Sequence, residues 1–239
     1  MRLDKFLSDC KILSRRECAK AVKYGRISIN GIRALSADQK VDETYDAVAL
    51  DGCDISYNRH IYIMLNKPAG YVSSTKDCSL PCITELLPSE MQKYSPFPCG
   101  RLDRDTLGLI IMTNDGDLSH MLLSPKRHVD KDYRFCVNSP LPNEAERLFM
   151  SGITLHDGYG CKSAVLKLSD DRKSGIVTLT EGKYHQIKRM MSSLGSKITY
   201  LERISFAGIP LDPTLERGQS RLLTDEEISI LRNCVTKKQ

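Results

Sequence analysis

Apolar residues at Leu3, Phe6 and Leu7, then at Ile12 and Leu13, open the chain with an early spacing that fits one face of a short helix. Ser14 and Glu17 bracket Arg15 and Arg16 in the form of a capping box, so a second helix is predicted to start there. Gly25 marks its C-terminal stop. Beyond it the period drops from helical spacing to alternation in Arg26-Ile27-Ser28-Ile29, and Asn30-Gly31 follows as a strong hairpin-turn signal. Ala47-Val48-Ala49-Leu50 reads as another strand. Residues 52–60 lack a sustained period and read as a linker.

Past this point, strands are predicted at Tyr62–Leu65, Leu109–Thr113, Tyr133–Val137, Ala164–Leu168 and Ile176–Thr180. Helices are predicted at Glu144–Met150 and His185–Leu194. The two element types mix without a strict βαβ rhythm, which predicts an α+β fold. Its expected form is a small N-terminal α/β unit over residues 1–56 and a larger unit over 57–239, built on a mixed, mainly antiparallel sheet flanked by helices. No internal repeat or low-complexity tract is visible.

Composition narrows the class. At 239 residues, 41% hydrophobic and 27% charged, the chain is long enough for a real core and is not disordered. No apolar run approaches the roughly 18 residues that span a bilayer, and the N-terminus carries no export signal, so a cytoplasmic protein is expected. The nine cysteines form no Cys-x-x-Cys pair, and no His stands beside Cys78 and Cys82 to complete a zinc site, so reduced structural thiols and no metal are expected. A net charge of +5 is mild, but its distribution is not: residues 1–33 hold nine bases against three acids. On the second helix Arg16, Lys20 and Lys23, related by steps of four and three, share one cationic face. Such a patch supplies the phosphate attraction of sequence-independent RNA binding.

Three stretches place polar residues and glycine where a core-building sequence would not. The first, Leu65-Asn66-Lys67-Pro68-Ala69-Gly70-Tyr71-Val72-Ser73-Ser74, follows a strand and taken alone is a turn with a lysine. In the second, Gly100-Arg101-Leu102-Asp103-Arg104-Asp105-Thr106-Leu107-Gly108-Leu109, acids alternate with arginines. Flanking cations favour the charged form of a carboxylate, which is the form a nucleophile requires. An apolar strand and the turn Asn114-Asp115-Gly116-Asp117 come next, without the spacing or terminal Glu of a calcium loop. The third, Glu181-Gly182-Lys183-Tyr184-His185-Gln186-Ile187-Lys188-Arg189-Met190-Met191, runs from a strand end into a helix whose bases can meet phosphate or a carboxylate.

Together and in this order, with the pair Lys131-x-Tyr133 and the tail Arg221-Leu222-Leu223-Thr224-x-x-Glu227, these stretches resemble the RsuA-type ribosomal RNA pseudouridine synthases. Residues Arg2 to Leu7, Ser14 to Arg16 and Gly25 to Gly31 resemble the S4-type RNA-binding domain. The resemblance covers nearly the whole chain and implies isomerisation of uridine to pseudouridine, without cofactor, in ribosomal RNA. The opening residues and Met-Leu-Asn-Lys-Pro-x-Gly-Tyr-Val look more like the member acting on 16S RNA, or on a small-subunit assembly intermediate, and a monomer is expected. It also implies roles: Asp103 as nucleophile or ribose-deprotonating group, Tyr133 stacking on the base, Lys188 or else Arg189 pairing with the aspartate, and Arg101 supporting nucleotide flipping. RNA contacts are expected from Arg2, Lys5, Arg15, Arg16, Lys20, Lys23, Arg26, Lys67, His185, Gln186 and Arg189. The rivals are a synthase for 23S RNA, a non-catalytic assembly factor, and a glycoside hydrolase, for which no second carboxylate motif presents itself.

Overall fold

A computed structural model describes residues 1–55, 57 and 59–236. Contacts divide the chain into two compact units, residues 1–61 and 62–239.

In the first unit, helices α1 (Leu3–Asp9) and α2 (Arg15–Lys23) precede four short strands, β1 (Ile27–Ile29), β2 (Ile32–Arg33), β3 (Val48–Leu50) and β4 (Cys53–Ile55). The strands lie antiparallel in the order β2-β1-β3-β4. Each local signal acts as its chemistry demands. Ser14 accepts from the Glu17 amide at 3.3 Å while the Glu17 carboxylate accepts from the Ser14 amide at 2.8 Å, which closes the capping box. Gly25, at φ +71, carries the chain out of the helix in a left-handed conformation. Asn30 and Gly31 take φ of 52 and 77, the two positive values that a two-residue hairpin needs to match the strand twist. Leu3, Phe6 and Leu7 from α1, Cys18, Ala21 and Val22 from α2, and Ile27, Ile29 and Val48 from the sheet form one buried cluster.

The linker expectation for 52–60 is corrected at its start. Cys53–Ile55 pairs with β3, and Tyr57 packs at a tilt against Phe6, 5.1 Å between ring centroids, while donating to Asp9 at 3.1 Å. This edge strand is three residues long, too short for an apolar period to mark it. Residues 56 and 58 of that stretch lie outside the described residues.

The second unit holds strands β5 (Tyr62–Lys67), β6 (Phe97–Pro98), β7 (Leu107–Thr113), β8 (Lys131–Val137), β9 (Val165–Leu168), β10 (Ser174–Leu179), β11 (Ile198–Phe206), β12 (Ile209–Pro210) and β13 (Ser220–Leu222). Its helices are α3 (Ser89–Gln92), α4 (Gly116–Leu123), α5 (Ala145–Ser151), α6 (Gln186–Ser193) and α7 (Asp225–Thr236), with a 3₁₀ turn at Ile83–Leu86. The sheet runs β13-β5-β7-β11-β8-β10-β9, with β6 on β7 and β12 on β11. Every pairing is antiparallel except β7 with β11, so the architecture is the mixed, mainly antiparallel sheet that was expected. Every residue of β5 is buried, and so is β7 beyond its first residue, which explains their unbroken apolar runs. Helices α4 and α7 pack together over a core of Tyr62, Met64, Leu109, Ile111, Leu118, Leu122, Phe206, Leu231 and Val235.

Two elements differ from the sequence reading. The expected turn at Asn114–Asp117 is the start of α4: Asp115 caps it by accepting from the Leu118 amide at 3.0 Å. Strand β11, at the centre of the sheet, carries Glu202 and Arg203, both buried, and buried charges hide a core strand from a hydrophobicity pattern. Where β7 meets β11, Gly108 at φ +97 has no room for a side chain: a Cβ would stand 2.3 Å from the Arg203 carbonyl oxygen.

Candidate active site

The loop joining β6 to β7 carries Asp103, and its shape is set from beneath by the first polar stretch. Lys67, at the end of β5, is fully buried. Its ammonium donates to the carbonyls of Pro68, Asp103, Arg104 and Thr106 at 2.9 to 3.1 Å. Ser73 both donates to the Leu102 carbonyl at 2.8 Å and accepts from the Leu102 amide at 3.0 Å, and the Gly70 amide donates to Arg104 at 2.9 Å. The two stretches are therefore one knot. Burial pushes the Lys67 ammonium down to about 8, opposed by the charges of Asp105 and Asp103. The expected RNA contact by Lys67 is corrected: the three donors of its ammonium are taken up by four carbonyl oxygens, which leaves none for a ligand, and it holds the aspartate loop instead.

The opposite wall comes from the third stretch. Lys188, in the first turn of α6, lies 3.1 Å from one Asp103 carboxylate oxygen and 2.5 Å from Asp105. Burial pulls its ammonium down, but hydrogen bonds to Asp105 and Asp103 and their charges outweigh that, and the net displacement is upward. His185 Nε2 stands 3.6 Å from the other Asp103 oxygen. His185 itself sits at φ 49, a left-handed conformation rare outside glycine, and stacks on Tyr184 at 3.8 Å between ring centroids. The cation on Asp103 thus arrives from α6 rather than from the flanking arginines: Arg104 donates to the Gly70 carbonyl at 3.3 Å.

Gln186 is also corrected as an RNA contact. It is buried, donating to Glu181 at 2.6 Å and accepting from the Lys183 amide at 2.9 Å. Glu181 further accepts from Tyr159 at 3.0 Å and from the Lys162 amide at 2.9 Å, so this polar network shapes the loop before α6. Arg189, offered as an alternative partner for the aspartate, ion-pairs with Asp157 instead; one residue beyond Lys188, it points to a different side of the helix.

Asp103, Arg101, Tyr133, His185, Lys188 and Leu201 line one pocket, so residues from the β6–β7 loop, β8, α6 and β11 converge there. Tyr133 is buried, with its partner across the β8–β11 ladder being Arg203. A larger cavity of about 420 Å³ adjoins it, sharing Arg101, Asp103 and Tyr133 and reaching Lys131 and Arg203. Asp105, Glu181 and Lys131 stand in the motif stretches without a role of their own in the sequence analysis, and Arg203 stands outside them; the Lys131-x-Tyr133 spacing, which puts both side chains on one sheet face, was the available signal. In the first unit Lys5, Arg15, Arg16, Lys20 and Lys23 are exposed. Arg2 is hydrogen-bonded to Asp4 and Arg26 to Asp51, so part of the local charge is compensated. Among the described residues no group of three or more His, Cys, Asp or Glu side chains is arranged around a metal position, and no helix is long and apolar enough to cross a membrane.

The second unit holds an ion-paired aspartate in a cleft lined by cations, the first carries an exposed basic helix face, and comparison with known proteins defines the class. Residues 61–193 match the RNA pseudouridylate synthase family and residues 1–46 match the S4 domain. An uncharacterized RNA pseudouridine synthase of Bacillus subtilis, YtzG, is 40% identical over 97% of this chain and 98% of its own length. Ribosomal small subunit pseudouridine synthase A of Escherichia coli is 37% identical over 96% of this chain and 99% of its own. A crystal structure of a pseudouridylate synthase superposes with a TM-score of 0.68 at 34% identity, covering 97% of this chain and 99% of that one. The chain belongs to the RNA pseudouridylate synthase family and is an isomerase with an N-terminal S4 domain.

Proposed function

We propose that this protein converts one uridine of 16S ribosomal RNA to pseudouridine in the cytoplasm, with residues 1–56 docking the RNA and residues 57–239 performing the chemistry. The observation that carries the reaction is Asp103, held in a cleft by Lys188 at 3.1 Å and flanked there by Tyr133. The substrate assignment draws on relatives named for the ribosomal small subunit.

The reaction breaks the bond between uracil nitrogen 1 and ribose carbon 1′ and forms one between uracil carbon 5 and the same ribose carbon. A proton leaves carbon 5 and one is returned to nitrogen 1, so nothing is oxidised and no atom is lost. Asp103 either attacks carbon 1′ or removes a ribose proton; both uses need an ionised carboxylate at the sugar, as in glycosidases. Lys188, 3.1 Å away, holds that carboxylate in place. Extruding the target base costs a few kcal/mol of stacking, roughly, and Tyr133 offers the flipped base an aromatic face. From Tyr133 the phenol oxygen can assist removal of the carbon 5 proton. Arg101, exposed at the pocket mouth, would fill the gap left in the RNA stack. The exposed bases on α1 and α2 raise the local concentration of target RNA.

The test is to incubate the protein with unmodified 16S and 23S RNA, separately and as ribonucleoprotein, and map pseudouridine chemically. A single new pseudouridine in 16S RNA is the expected result. Modification of 23S RNA alone would replace the substrate assignment, and tight binding with no modification in any preparation would replace the enzyme with an assembly factor.

A further inference from the structure

Two of the cations that line the larger cavity, Lys131 and Arg203, take no part in the aspartate site. Arg203, on the central strand, is 1% exposed and donates Nε to the Leu109 carbonyl at 2.7 Å. Its Nη2 is buried without a hydrogen-bond partner and the residue lines the 420 Å³ cavity. A charged donor left unsatisfied in the interior is costly, so its retention calls for a ligand. Lys131 lines the same cavity from β8. Both cations lie against the ring of Phe206, with Lys131 Nζ at 5.9 Å and Arg203 Cζ at 5.1 Å from its centroid. Lys131 donates to the Val129 carbonyl at 2.8 Å, which leaves donors of the ammonium for a ligand. Burial, with the repulsion of Arg203 added to it, lowers the Lys131 ammonium to about 8, against a smaller pull from Asp130.

The acids around the cavity do not answer this pair. Asp103 is engaged by Lys188, and Glu181 by Tyr159, Gln186 and the Lys162 amide. The cavity is therefore lined by two cations that repel each other, one of them holding a donor without a partner in the protein, and it calls for an anion with several acceptor oxygens.

We propose that Lys131 and Arg203 form a phosphate subsite, which takes a phosphodiester of the RNA strand next to the uridine held at Asp103. This rests on the reading of the adjoining pocket as a uridine site, and the shared wall of Arg101, Asp103 and Tyr133 sets the two sites side by side along one strand. Guanidinium and ammonium together suit a phosphate: a fork of donors fixes orientation and a point charge adds attraction. The subsite would hold the strand in register while the base between them turns, since phosphate contacts position and base contacts specify.

The experiment is a binding measurement on the full-length protein. Affinity for a short oligouridylate, and for the same oligomer with uncharged methylphosphonate linkages, is compared among wild type, Lys131→Gln, Lys131→Arg and Arg203→Gln. A 16S RNA transcript is titrated over a range of salt. Lys131→Gln is expected to weaken the phosphodiester oligomer about tenfold, to leave the methylphosphonate oligomer unchanged, and to lower the salt slope by about one. Lys131→Arg should restore the affinity. Wild-type affinity and slope in Lys131→Gln would overturn the subsite, and so would an equal loss on both oligomers, which would place these cations on the base. Arg203 is in the core, so Arg203→Gln counts only if its circular dichroism is native; Lys131→Gln decides alone otherwise. Since the readout is binding, a wild type that forms no pseudouridine would count against the reaction and not against the subsite.

Discussion

The basic face of α2 and the floor of the cleft are both cationic, yet they are built in opposite ways. Arg16, Lys20 and Lys23 stand in solvent, and moving any of them by one turn would change little. Lys67 and Lys188 are each placed by a specific set of oxygens: four carbonyls around the first, and two carboxylates around the second. Solvated charge acts at a distance and is screened over roughly 10 Å at 0.1 M salt, whereas charge removed from water acts only where its partners are aligned. The first kind suits long-range attraction of a polyanion; the second fixes the shape of the cleft around Asp103.

The sharpest way to separate the two regions is to remove the reacting group alone. Asp103→Asn should lower turnover by at least about a thousandfold while RNA affinity stays close to wild type, as read by chemical mapping beside filter binding. Retained turnover would remove Asp103 from its role. Next in size is Lys67→Met, which leaves carbonyls around a buried position without their donor. It should cost about 3 kcal/mol in urea unfolding and loosen the aspartate loop, seen as faster amide exchange over residues 100–106. An unchanged urea midpoint would mean that the loop holds itself.

A smaller effect is expected for Lys188→Gln on stability, about 1 kcal/mol, because Asp105 is largely exposed and its charge is screened. The pH dependence follows from the two displacements. The Asp105 carboxyl lies below its ordinary 3.8 despite the opposing effect of burial, because Lys188 hydrogen-bonds and attracts it. Lys188 is raised above its ordinary 10.5. The pair's stabilisation is thus fully present between those ordinary values, fading only as pH falls through the lowered carboxyl or rises through the raised ammonium. The gap in urea midpoint between wild type and Lys188→Gln should be flat across neutral pH; a gap that closes near pH 7 would contradict the ion pair. The smallest change is the double substitution Lys20→Gln and Lys23→Gln. Stability should stay within about 0.5 kcal/mol, while RNA affinity falls a few-fold and the salt slope drops by up to about two. An unaltered salt slope would show that this face does not meet RNA.

Much of this was legible from residue order because the signals are local. The Ser14–Glu17 box, the Asn30-Gly31 turn and the buried strands β5 and β7 each depend on residues a few positions apart. The tail Arg221 to Glu227 carries a further local device: Thr224 and Glu227 cap α7 reciprocally, and Arg221 clasps Glu227 with two bonds of 2.8 Å. Asp103, Tyr133, Lys188 and Arg101 were legible as candidates from motif order, and they meet in one pocket.

By itself, then, the sequence determined where α2, the first hairpin and strands β5 and β7 lie, which residues are chemically competent, and where basic residues accumulate. Only the tertiary structure decided which charges work in solvent and which work buried. It turned Lys67 and Gln186 from expected RNA contacts into supports of the site, chose Lys188 over Arg189 as the partner of Asp103, and set Glu202 and Arg203 inside the central strand. The physical reason is that a charge's effect depends on its desolvation and on the oxygens around it, and those neighbours are distant in sequence and assembled only by the fold.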